Sequence, residues 1–145
     1  ECFDFTMKEE REAEVQIGGA LGTYLYEPNV AILKAGAFKS VAARFGLRKL
    51  QVSSHLYTSD TWVEAFPGRR FQVKAVIPFH GKACKQLNRQ LPQANLTTRN
   101  FPLSVNELRK RLKIAEGGMD YLFATTTADG EKVLIHGVKP EHQAD

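Results

Sequence analysis

"RFQVKAVIPF", residues 70–79, decides the fold. Phe71, Val73, Ala75, Ile77 and Phe79 alternate with Arg70, Gln72 and Lys74, which is the two-residue period of a strand with one buried face. Working outward, the C-terminal half falls into a series: a helix over 81–91, a strand over 93–99 and a helix over 104–113. "YLFATTTADGEKVLIHGV", 121–138, then reads as two strands joined at Asp129-Gly130, a pair suited to a type I′ hairpin turn. The order β-α-β-α-β-β predicts an α/β unit over residues 67–145.

Toward the N-terminus the pattern changes. Phe3 and Phe5 alternate as in a strand, and Thr6 with Glu9 has capping-box spacing for a short acidic helix through about Glu14. "GGALG", 18–22, is a linker or sharp turn, so residues 1–22 read as the end of one unit plus its linker. Residues 23–66 read as a helical arm. Pro28 suits the first turn of a helix, Val30, Leu33 and Ala37 form an apolar face, Gly36 invites a break, and Phe38, Val41 and Phe45 repeat at helical spacing up to Gly46. Beyond it, "SSHLYTSD", 53–60, has strand character, and Asp60 could cap a short helix containing Trp62 and Phe66.

Composition places limits on function. The chain has 145 residues, 43% of them hydrophobic and 25% charged, as expected of a soluble globular domain with a real core. No apolar run approaches the roughly 18–20 residues of a membrane span, and the N-terminus carries no secretory pattern. It begins with Glu1, as a segment of a longer protein would. Cys2 and Cys84 are far apart, giving neither a disulfide framework nor a zinc motif. These features predict a reducing, cytoplasmic setting.

The net charge of +4 conceals a strong asymmetry. Residues 1–27 carry two cations against seven acids, a balance of −5; residues 28–113 carry sixteen against three, +13; residues 114–145 carry two against six, −4. A concentrated cation field of this kind points to an anionic partner, nucleic acid first.

Two helices concentrate that field. In "FPLSVNELRKRLKI", 101–114, Ser104 and Glu107 form a capping box and Leu103 can staple onto Leu108. Val105, Leu108 and Leu112 share one face, while Arg109, Lys110 and Lys113 fall opposite and Arg111 lies at the flank. Cations in a last turn also complement the helix dipole, which is a sufficient explanation for this helix taken alone. In "GKACKQLNRQL", 81–91, however, Lys82, Lys85 and Arg89 share a face away from Cys84, Leu87 and Leu91. Lys82 sits against the dipole preference there, so a shared anionic partner explains both helices better.

A candidate pocket adjoins them. Turns that follow parallel strands lie at one sheet edge, where ligands bind. Here they contain "FHG", 79–81, and "RNFP", 99–102, each leading into a helix start with unpaired N–H groups. Arg99 offers a fork for phosphate, Asn100 a polar reading edge, and Phe79 or Phe101 a stacking surface, with core packing the competing role for Phe101. His80 reads as a turn residue. The expected nucleic-acid contacts are therefore Lys82, Lys85, Arg89, Arg99, Asn100, Arg109, Lys110 and Lys113.

No catalytic constellation emerges. His55, His80, His136 and His142 lack metal-ligand spacing, and HExxH, CxxC, GxGxxG and P-loop motifs are absent from the sequence. "NLT", 95–97, matches a glycosylation sequon by chance in an unexported protein. Acyl-phosphate chemistry at Arg99 and Asn100 on a small ferredoxin-like fold is the one enzymatic alternative. The expectation is no catalytic residue, no metal and no cofactor in this segment.

"RNFPLSVNELRKRLKIAEGGMDYLFATTTADGEKVLIHGVKP", 99–140, with "LRKLQVSSHLYTSD", 47–60, and "YLYEPNVAILKAG", 24–36, resembles the C-terminal region of a bacterial family of S-adenosylmethionine-dependent methyltransferases, best represented in Bacteroidetes. That region carries a THUMP-like domain. The resemblance spans about residues 20–140, and residues 1–17 resemble the end of the ferredoxin-like domain that precedes it. It implies an RNA-recognition appendage that presents tRNA or rRNA to an upstream methyltransferase domain, where S-adenosylmethionine would bind. A structural domain docking on that same methyltransferase is the rival reading.

Overall fold

A computed structural model of the chain describes residues 16–17, 21–36, 38–50, 55–64, 66–85 and 87–139. The strand pattern of Phe3 and Phe5 and the Thr6/Glu9 cap lie outside the described residues. Two compact units divide the chain, Glu1–Phe71 and Gln72–Asp145.

The first unit contains β1 (Gln16–Ile17), β2 (Tyr24–Pro28), α1 (Val30–Ala35), α2 (Phe38–Phe45), β3 (Arg48–Lys49), β4 (Tyr57–Ser59) and the first residues of β5 (Gly68–Pro78). The two helices expected over 28–46 are present and end at Gly36 and Gly46, whose φ values of 73° and 66° are the left-handed helix-terminating conformation. Strands surround them, however, so residues 23–66 are an α/β segment and not a purely helical arm. The strand order is β1-β3-β4-β2, with β1 parallel to β3 and the other pairs antiparallel.

The displaced element is "YLYEP". Tyr24, Leu25 and Tyr26 pair with Ser59, Thr58 and Tyr57, and Pro28 closes the strand where a helix start was expected. Asn29 takes over the capping task, its side-chain oxygen accepting the Ile32 N–H at 3.0 Å. The helix consequently turns Ile32 inward, at 5% exposure, and leaves Val30 63% exposed. Asp60 caps no helix; its carboxylate accepts the Thr23 N–H.

Tyr26 is the centre of this unit. Its ring is fully buried among Ile32, Ala42, Leu47, Tyr57 and Phe66. Its hydroxyl donates to the Thr61 carbonyl at 2.9 Å, accepts the Val63 N–H at 3.2 Å and lies 2.9 Å from Ser59 Oγ. Burial raises the phenol pKa above its usual value. Close by, Arg69 pairs with the buried carboxylate of Glu27, Nε to Oε1 at 2.7 Å. Gly68 permits that approach, because a Cβ there would fall 2.2 Å from the Glu27 carbonyl oxygen.

The second unit follows the expected β-α-β-α-β-β order. After β5 come α3 (Gly81–Cys84), α4 (Leu87–Gln90), β6 (Asn95–Arg99), α5 (Val105–Leu112), β7 (Asp120–Thr126) and β8 (Lys132–Val138). The single helix expected over 81–91 is thus described as two short ones. Within this unit the order is β5-β8-β7-β6, β6 parallel to β7 and β8 antiparallel to both neighbours. Strands β5, β6 and β7 therefore run one way and β8 the other.

Both helical segments cover one sheet face. Leu87 and Leu91 from the first, Leu108 and Leu112 from the second, and Leu96, Leu122, Ala124 and Leu134 from the strands form one core. The opposite face is buried as well, through Phe123, Val133 and Ile135, which is why these strands read as runs of apolar residues. The β7–β8 turn differs from expectation. Gly130 has φ 86° while Asp129 does not have positive φ, and Gly130 N–H donates to Thr127 O as Thr127 N–H donates to Glu131 O. That is a type I turn followed by a left-handed glycine, not type I′.

Replacing Tyr26 with phenylalanine leaves the Val63 N–H without its partner. The expected loss is about 1–3 kcal/mol of stability, read as a lower urea midpoint at unchanged slope.

Candidate nucleic-acid interface

The interface is built on the wet side of the helical layer. Lys82, Lys85 and Arg89 on and between α3 and α4 are exposed, as are Lys110, Arg111 and Lys113 on and just after α5. Cys84, Leu87 and Leu91 face the core, so the inside-outside division expected of residues 81–91 holds despite the break. None of these six cations closes an ion pair within the described residues.

Arg111 ties the two halves together. Its guanidinium lies over the Phe79 ring, 5.3 Å from the centroid. Its charge also reaches the Cys84 thiol on α3, where burial nonetheless pushes the thiol pKa up. A flanking residue by helical-wheel reasoning, Arg111 is the cation that bridges α5 and α3. Only the tertiary packing of α5 beside α3 reveals this.

Arg109 has a different task. It is half-buried, and its Nη1 donates to the Ile114 carbonyl at 3.0 Å, satisfying a carbonyl beyond the helix end. Lys113 is the C-cap, with φ 57° and its N–H donating to Arg109 O. Among the cations of "RKRLK", then, Arg109 and the Lys113 backbone close the helix, while Lys110 and Arg111 are presented outward.

At the edge where β5, β6 and β7 end, an open pocket of about 470 Å³ is lined by Thr98, Asn100, Phe101, Pro102, Thr126 and Lys132. Asn100 is held in the left-handed region at φ 56°, and Thr126 Oγ1 donates to its carbonyl at 2.7 Å. Arg99 is not part of this pocket. Ala94 and Leu96 point into the helix-side core, so strand alternation places Arg99 on the other face, where Nη1 donates to Thr98 O. Lys132 joins the pocket instead; its signal in the sequence is the turn before it, which brings the start of β8 to the same edge.

The helix starts beside the pocket are already occupied. Ser104 Oγ accepts the Glu107 N–H and Glu107 accepts the Ser104 N–H, completing the expected capping box. These hydrogen bonds lower the Glu107 pKa. His80 caps α3, its Nδ1 accepting the Ala83 N–H. With a carboxylate at one start and an imidazole at the other, neither favours a phosphate in the manner expected from the sequence. The aromatic expectation changes too: Phe79 and Phe101 pack edge to face, 5.0 Å between centroids, against the core.

In the first unit an open pocket of about 680 Å³ is lined by residues including Arg48, Ser59, Asp60 and Thr61. Its hydroxyl and carboxylate are engaged in place, Ser59 with Thr61 O and Asp60 with Thr23 N–H. Among the described residues no cluster of His, Cys, Asp or Glu could hold a metal, and no helix is long and apolar enough to cross a membrane.

Arg109→Ala should cost about 1 kcal/mol of stability through the lost hydrogen bond, whereas Lys110→Ala should leave the urea midpoint unchanged. The Glu107 cap has a pH signature. Because its folded pKa is lowered, its stabilisation is complete above the ordinary carboxylate range and disappears as pH falls through the lower folded value. The midpoint difference between wild type and Glu107→Gln should therefore be present at neutral pH and vanish in acid.

Comparison with known proteins follows this division of the chain. Residues 24–67 match the model of a ferredoxin-like domain and residues 68–139 that of a THUMP domain-like family. The ferredoxin-like match thus lies C-terminal to residues 1–17, where the sequence reading placed the end of such a domain. No curated protein matches the chain. The chain is 52% identical, with a TM-score of 0.91, to the crystal structure of a "putative methyltransferase" from Porphyromonas gingivalis W83, over 96% of this chain and 35% of that one. It spans about a third of that protein's resolved length. The chain is an α/β protein carrying a ferredoxin-like domain followed by a THUMP-like domain.

Proposed function

We propose that this chain is the RNA-recognition region of an S-adenosylmethionine-dependent methyltransferase, presenting tRNA or rRNA to a catalytic domain in another part of the parent protein. The observation that carries the reading is the layer of exposed cations, Lys82, Lys85, Arg89, Lys110, Arg111 and Lys113, on the helical side of the THUMP-like unit. The similarity to a protein described as a methyltransferase supplies the reaction class. In this reading the methyl donor binds outside these residues. Arg99 and Asn100 stand at the strand-end edge as secondary contacts, and Arg109 acts chiefly by holding the end of α5.

The physical basis is counterion release. Each phosphate neutralised by Lys or Arg returns a condensed cation to solution, so affinity falls with salt. If about four phosphates are engaged, raising salt from about 50 to 200 mM should weaken binding on the order of 10²-fold. The test is titration of the chain with total tRNA and a structured rRNA fragment at both salt concentrations, alongside the K82A/K85A/R89A triple variant. Salt-dependent binding that the triple variant loses is the expected result. Absence of binding at low salt would refute the reading and favour docking of this surface on the parent's own methyltransferase domain.

A further inference from the structure

The helical layer also indicates what form of RNA it takes, an inference that rests on the RNA reading above. Unpaired bases are held chiefly by stacking on aromatic rings, whereas paired RNA is held through its phosphates and 2′-hydroxyls, its bases being stacked inside the helix. The second unit contains four phenylalanines and tyrosines, Phe79, Phe101, Tyr121 and Phe123, and each ring is engaged; of the described imidazoles, His80 caps α3 and His136 pairs with Asp120. Phe123 is fully buried. Phe79 has the Phe101 ring against it and the Arg111 guanidinium over its face. Phe101 is packed against Phe79 and the core, and Tyr121 lies beneath the Lys139 ammonium at 5.8 Å.

What the surface does offer is charge. Lys82 stands in the first turn of α3, Lys85 and Arg89 farther along, Lys110 and Arg111 toward the end of α5 and Lys113 at its C-cap. The only acid on α5, Glu107, is confined to its first turn by the capping box. At about 1.5 Å of rise per residue, Lys110 and Lys113 lie roughly 4.5 and 9 Å along the axis from Glu107, away from the helix start that follows Asn100 and Phe101, while Arg111 reaches back to the Phe79 ring.

We infer that the basic helical layer binds the phosphate backbone of paired RNA, a stem, and does not read unpaired bases. Sequence selectivity at this surface is accordingly weak, and recognition depends on the shape of a stem.

The test compares the chain's affinity for a fully paired RNA hairpin and for an unstructured oligouridine of equal nucleotide number, at the same low salt, in wild type, K110A/K113A and Phe101→Ala. The inference expects the hairpin to bind at least about tenfold tighter, K110A/K113A to weaken it, and Phe101→Ala to leave the hairpin affinity unchanged. Equal or tighter binding of oligouridine would overturn the inference while leaving RNA recognition standing. Loss of binding to both RNAs in the wild-type chain would overturn RNA recognition itself. Measuring the urea midpoint of Phe101→Ala separates loss of stacking from loss of folding: a weakened hairpin affinity at an unchanged midpoint counts against the inference.

Discussion

Burial of Leu108 and Leu112 against Leu96, Leu122, Ala124 and Leu134 is the constraint on which the second unit depends. Each such side chain removed from water contributes about 1.5–3 kcal/mol, more than any surface charge contributes. The apolar face therefore determines how α5 is rotated, and the charges follow. Once Leu108 and Leu112 point inward, Lys110 and Lys113 have nowhere to go but outward, and Arg111 falls toward α3. The same logic holds around α4, where Leu87 and, just after the helix, Leu91 point inward and leave Arg89 in solvent. The proposed RNA surface is thus a by-product of core packing in its geometry, though not in its composition, since nothing in the core requires the outer positions to be cationic.

The cations at the end of α5 illustrate why position in a sequence does not reveal a task. Arg109, Lys110, Arg111 and Lys113 are chemically alike and adjacent, yet they divide. Arg109 reaches back to a main-chain carbonyl, Arg111 lies on an aromatic ring, and Lys110 and Lys113 end in solvent. A guanidinium has the donors and the reach to fold onto its own backbone, which a helical wheel cannot express. Closure of the helix end and the proposed RNA contact thus fall to different side chains of one helix.

Much of the second unit was legible because strand and helix periods alternate cleanly there. The Ser104–Glu107 box and the apolar runs around Asp129-Gly130 each carry a local signal that agrees with the fold, whereas the alternation from Phe71 to Phe79 marks a strand but not a single buried face, because the register shifts between Val73 and Ala75 and Ala75 is exposed. The first unit was less legible. "YLYEP" is only five residues long, lies directly before a helical pattern, and owes its strand state to pairing with Tyr57–Ser59 more than thirty residues away. Proline at 28 fitted a helix start equally well, and only Asn29 capping Ile32 shows where the helix begins. At the site, the sequence identified Lys82, Lys85, Arg89, Lys110 and Lys113 as outward cations, but it set Arg109 beside them, where the side chain folds back onto the Ile114 carbonyl, left Arg111 at the flank, and did not carry strand alternation to the end of β6, which turns Arg99 away from the Asn100 pocket. Lys132 was missed because its membership in the strand-end pocket is created by sheet order.

That sheet order, β5-β8-β7-β6, has a consequence for biosynthesis. Within this unit β8 is made after the other described strands and yet is an interior one, with β5 on one side and β7 on the other. β7 and β8 form a local hairpin that can close within microseconds, but β5 waits some fifty residues of synthesis for its partner in this unit. At about 5–20 residues per second, its pairing edge stays open for several seconds while β6, α5 and β7 emerge. Lys74 and Pro78 within β5 are residue types that discourage pairing with stray strands, and they sit on the strand that is exposed longest. A pause in synthesis before Val138 would lengthen the time for which that edge lacks its β8 partner.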